Sequence, residues 1–102
     1  MQLVQILLPL TDNDGKPFPP AMFETLKEDL TREYRGVTAF VQAPAQGRWT
    51  ETEAGASEED IVIFEVMVKE LYLGQWKQRQ RDLERRFRQD QVIIRYMAIG
   101  LI

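Results

Sequence analysis

The sequence predicts an α+β domain in which strands and helices alternate as β-α-β-β-α-β, on three observations. Residues 2–10, 37–43, 61–69 and 91–101 are apolar runs of strand length, rich in Val, Ile and Leu. The segments after the first and third runs instead carry apolar residues at spacings of three and four, one stripe of a helix. Gly, Pro and Asp fall between the runs, where turns are needed.

Residues 2–10 form the first strand, and residues 11–20, with Asp14-Gly15 and three prolines, form a turn and connection. Pro19 and Pro20 suit a helix start, because proline's missing N–H costs nothing in the first turn. Phe23, Leu26, Leu30 and Tyr34 make the buried stripe of that helix, opposite Glu24, Lys27, Glu28, Arg32 and Glu33. Gly36 is expected to end it through a left-handed cap. Residues 37–43 are a strand that Pro44 and Gly47 interrupt, with Arg48-Trp49-Thr50 either a bulged extension or loop. Residues 51–60 read as an acidic, mobile loop. Residues 61–69, apolar on both faces, read as a central strand. A second helix starts near Gly74 and buries Trp76, Leu83 and Phe87, with Gln80 completing the stripe; residues 91–101 close the domain as the last strand.

This order is that of the split βαβ, ferredoxin-like unit: a four-stranded antiparallel sheet with both helices on one face and the first and third strands central. Residues 1–102 read as one such domain. Successive side chains on a strand alternate between faces. One face therefore collects Val4, Ile6, Leu8, Val37, Ala39, Val41, Val62, Phe64, Val66, Val68, Val92, Ile94, Tyr96 and Ala98. The other collects Leu3, Gln5, Leu7, Thr38, Phe40, Gln42, Ile61, Ile63, Glu65, Met67, Ile93, Arg95, Met97, Ile99 and Leu101. Two helices cover one face only, so the second, with charge set into an apolar surface, is expected to take a partner, giving a dimer through the open sheet face.

Over nearly its whole length the chain also resembles a family of small uncharacterised bacterial proteins with a ferredoxin-like fold. Leu8-Pro9-Leu10 with Asp12 and Gly15, Gly36-Val37-Thr38-Ala39, Gly47-Arg48-Trp49 and the strand entry Asp60-Ile61-Val62 carry the resemblance. It implies the fold and no activity.

Composition narrows the chemistry. The chain has 102 residues, 44% of them hydrophobic, enough for a single core without staples. With no cysteine there is no disulfide or thiolate metal site, and with no histidine the commonest general base and metal ligand near neutral pH is missing. No cofactor or metal is expected, and Asp12-Asn13-Asp14-Gly15 reads as a turn because no glutamate closes it as a calcium loop. Ser57, the only serine, has no histidine to activate it. The run at residues 3–10 lacks basic residues ahead of it, and the apolar C-terminus is too short for a span of about 20 residues. A soluble cytoplasmic protein without membrane contact is expected.

Lys77, Arg79, Arg81, Arg85, Arg86 and Arg88 make the second helix basic, but Asp82, Glu84 and Asp90 are interleaved. At a net charge of −3 the reading is a solvated face and no nucleic acid. The aromatic platform on which the RNA-recognition form of this fold stacks bases is also missing, since Gln5, Leu7, Ile63 and Glu65 stand there. The candidate site is therefore Gln5, Glu65 and Arg95 on the open face, with Trp49 either a lid over it or a cover for the sheet edge. Charges set in such a face must pair or bind something. Two readings of them stay open: an ion pair that fixes dimer register, and a pocket between two sheets for a small anionic ligand, with Arg95 as anion anchor and Glu65 as acceptor or general base. The corresponding functions are a self-associating small-ligand-binding or interaction domain, a cofactor-independent enzyme of the dimeric α/β-barrel type acting on a small organic acid, and a structural adaptor for another protein. No residue is assigned a catalytic role.

Overall fold

The computed structural model of the chain describes residues 1–34, 36–42 and 60–102. They form β1 (Gln2–Pro9), α1 (Pro20–Glu33), β2 (Val37–Gln42), β3 (Ile61–Val68), α2 (Leu73–Arg86) and β4 (Ile93–Ala98). The strands make one antiparallel sheet in the order β2-β3-β1-β4. That arrangement of four strands and two helices is compatible with the ferredoxin-like fold.

The alternation read from the sequence is what builds the core. Val4, Ile6 and Leu8 of β1 and Val62, Phe64, Val66 and Val68 of β3 point to one face. There they pack with Leu26 and Leu30 of α1, Trp76 and Leu83 of α2, Phe87, and Val92 ahead of β4. Both helices thus cover the same side, and each of these side chains contributes on the order of 1.5–3 kcal/mol by leaving water. Phe18, Phe23 and Phe87 close one end of this layer, with the Phe87 ring 5.1 Å from Phe18 and 5.4 Å from Phe23.

Pro20 occupies the first turn of α1, as its missing N–H allows. The helix ends before Gly36 is reached: Tyr34 is already extended, and its N–H donates to the Leu30 carbonyl at 2.7 Å. Tertiary packing sets this end rather than the expected glycine cap, for the Tyr34 ring stacks on Trp76 at 5.5 Å. Arg79 lies over the same indole, its Cζ 5.3 Å from the ring centroid, and pairs with Glu33, tying the end of α1 to α2.

The last strand begins two residues later than the apolar run predicts. Glu84 accepts from the Val92 N–H at 3.0 Å, and Gln80 donates to the Val92 carbonyl at 2.7 Å. Two side chains one helical turn apart therefore satisfy both backbone groups of a buried residue, and the sheet ladder starts only at Ile93. The connection after β1 is a turn: the Asp12 carboxylate accepts from the N–H groups of Asp14 and Lys16, both at 2.8 Å, while Gly15 takes a φ of 83°. Strand 37–43 is described to Gln42, and the expected mobile loop, but for Asp60, lies outside the described residues.

Helix α2 closes with Gln89 N–H bonded to the Glu84 carbonyl and Arg88 N–H to that of Arg85, the paired bonds of a Schellman ending. Arg88 holds the left-handed position, φ 52°, where a side chain is disfavoured. Arg88→Gly should therefore stabilise the fold by about 0.5–1 kcal/mol, the steric relief exceeding the added chain entropy. Urea unfolding checks this; a loss of stability would show that the Arg88 side chain contributes more than its backbone strain costs.

Candidate functional site

Pairing of β1 with both neighbours places one polar residue per strand in a single row across the far face. Gln5 is opposite Glu65 on one side and Arg95 on the other, and Glu65 is in turn opposite Thr38 of β2. All four positions have the parity that faces away from α1 and α2, because Val4 and Ile6 on either side of Gln5 enter the core. The rows above and below are apolar: Leu7, Ile63 and Ile93, with Phe40 in register, and Leu3, Met67 and Met97.

Within the polar row the hydrogen bonds run in one direction. Arg95 Nε donates to Gln5 Oε1 at 2.7 Å, and Gln5 Nε2 donates to Glu65 Oε2 at 2.6 Å. A primary amide is suited to this middle place, since it offers an acceptor to the cation and a donor to the anion. Gln5 is only 8% exposed, Glu65 is half-buried and Arg95 is exposed. Charge thus sits increasingly in solvent toward the β4 edge. The contact with Gln5 uses the guanidinium Nε of Arg95, and the two terminal nitrogens of the fork make no ion pair among the described residues. A guanidinium so placed can take a carboxylate or phosphate on two N–H groups.

Of the residues singled out from the sequence, Gln5, Glu65 and Arg95 are brought together, and Trp49 lies outside the described residues. Ile63, on the same far face, is 2% exposed. It lies on a central strand with Leu7 opposite, and is out of water within the single chain. The basic residues of α2 are distributed among carboxylates: Arg79 with Glu33, Arg85 with Asp82, and Arg86 with Asp29 at 3.9 Å. Tyr72 is exposed, whereas Trp76 belongs to the core.

A second feature had no signature in the sequence. A cleft of about 810 Å³ opens at the end of the sheet between the close of α1 and the start of α2, lined in part by Tyr34, Met67, Glu70, Tyr72 and Leu101. It draws on four separate stretches of the chain, so no local motif announces it. In it the Tyr72 hydroxyl donates to the Glu70 carboxylate, and that hydrogen bond, with the nearby negative charge, raises the phenol above its usual pKa.

No family model, no curated protein and no solved structure matches the chain.

Two outcomes test this geometry. Gln5→Leu removes the amide between a half-buried carboxylate and a guanidinium and should destabilise the fold by about 1–3 kcal/mol in urea unfolding. A change below about 0.5 kcal/mol would mean that water serves both groups equally well. In an ultraviolet titration of the phenols, Glu70→Gln should lower the Tyr72 transition toward about 10. A raised folded-state pKa favours the fold below the unfolded value and that benefit is lost as pH rises through the folded one. The variant should therefore lose the alkaline part of this dependence, and an unchanged titration would remove Glu70 as its cause.

Proposed function

We infer that this chain is a ferredoxin-like domain that associates with a second copy of itself through the sheet face away from its helices. The observation that carries this reading is the exposure of Met67 (44%), Ile93 (51%) and Met97 (45%) on that face, flanking the polar row. Four strands of six to eight residues give the face roughly 400 Å² in projection, and its corrugated accessible area is larger. That face, its polar row included, approaches what one partner of a stable pair contributes, and Met67, Ile93 and Met97 supply exposed apolar area on it. A two-fold pairing hides it on both copies at once.

The internal hydrogen bonding of the row favours an interfacial network over an open ligand pocket, because Gln5 already joins the two charges. A second reading rests on Arg95, whose exposed guanidinium is suited to a small anionic ligand held between two such sheets. The enzymatic version, action on a small organic acid, would use that same arginine with Glu65.

Sedimentation at tens of micromolar should find a dimer, and Met97→Asp or Ile93→Asp should yield a folded monomer. Both positions are exposed, so they test association without loading the core; Ile63→Asp would unfold the chain instead, as that residue is buried in each copy. A wild-type monomer under these conditions would defeat the proposal. A small anion retained by protein purified from its host, and lost from Arg95→Gln, would move the assignment to the ligand reading.

A further inference from the structure

We propose that the polar row is completed in trans: in a face-to-face pair, Arg95 of each copy reaches Glu65 of the other, closing the two rows into one ring of hydrogen bonds. This rests on the self-association proposed above and specifies its symmetry.

The argument is geometric. Gln5 lies midway between Glu65 and Arg95, one strand spacing of about 4.8 Å from each. Two facing copies related by a two-fold axis along β1 and above Gln5 therefore exchange these positions. Glu65 of one copy falls opposite Arg95 of the other, twice over, and the two Gln5 side chains meet at the axis. An axis across the strands does the opposite, setting Arg95 against its own copy, which like charge disfavours. The polar row is thus self-complementary for one orientation of the pair and repulsive for the other.

The chemistry has matching vacancies. Nε of Arg95 and Oε2 of Glu65 are committed to Gln5. Among the described residues the terminal nitrogens of Arg95 and Oε1 of Glu65 have no hydrogen-bond partner, and they stand ready for a contact across sheets about 10 Å apart, within reach of the long arginine side chain. The neighbouring apolar row obeys the same operator, which brings Met67 of one copy opposite Met97 of the other, with Leu3 meeting Leu3. Charge pairs with charge and thioether with thioether, so the two rows specify one register.

Charge exchange between copies tests this. Arg95→Glu and Glu65→Arg, each alone, set like charges across the interface and should weaken self-association by at least about tenfold. Mixed one to one, they restore both cross-copy pairs, and a heterodimer should form within a few-fold of the wild-type affinity. A pairing confined to each chain gives no such recovery, since neither variant regains its own partner. Circular dichroism establishes that both variants fold. Should Glu65→Arg not fold, Met67→Cys mixed with Met97→Cys should be joined by a short bismaleimide far more readily than either variant alone; the natural chain has no cysteine to interfere. A dimeric wild type with no heterodimer in the mixture, or with equal crosslinking in all three samples, overturns the trans contact and leaves self-association standing. A monomeric wild type overturns both.

Discussion

Strand pleating is the constraint on which this molecule depends. Adjacent residues of a strand cannot share a face, so the sequence of β1 commits Val4, Ile6 and Leu8 to one side and Leu3, Gln5 and Leu7 to the other. Because β1 is central, its register is held twice, against β3 and against β4. A slip of one residue would drive Gln5 into the layer filled by Leu26, Leu30 and Leu83 and expose three aliphatic side chains. The hydrophobic core beneath the helices thus determines where the charges on the opposite surface stand.

That surface has an unusual economy. A glutamate and an arginine two strands apart make no direct ion pair among the described residues, and the intervening strand supplies a neutral side chain that meets both. An aliphatic residue there would leave the half-buried carboxylate without a protein donor; a lysine or a glutamate would add a charge where burial disfavours it. Glutamine joins the two without changing the net charge of the row. The apolar rows flank the contact on either side and, at Met67 and Met97, remain exposed themselves. Among the described residues the network is consequently satisfied at its centre and open at its ends, the property from which the proposed trans contact follows.

Much of this was legible from residue order because the relevant signals are periodic. The two-residue repeats of the strands and the three-and-four repeats of Phe23, Leu26, Leu30 and of Trp76, Leu83, Phe87 locate the elements and their buried sides. The same parity places Gln5, Glu65 and Arg95 on the far face. Element ends were less legible because tertiary contacts set them. Tyr34 leaves α1 early to stack on Trp76, and Val92 is held by Gln80 and Glu84 before β4 begins. The left-handed turn after α2 falls on Arg88, a cap position that glycine usually takes and that its absence here left without a signal. Burial of Ile63 also escaped a face-by-face reading, which assigns it to the side away from the helices. Trp49, read as a lid or an edge cover from its neighbours Gly47 and Arg48, lies outside the described residues.

The central claim is that the far face, and not the helical layer, is the surface of association, and the four methionines report on both sides of the sheet. Met67 and Met97 stand exposed on the far face, and Met22 packs against the core from α1. Methyl-labelled methionine followed by nuclear magnetic resonance across a dilution series reads them separately. The account predicts that the Met67 and Met97 signals move together with concentration while Met22 stays fixed. Movement of Met22 alone, or no movement at any position up to hundreds of micromolar, would contradict it.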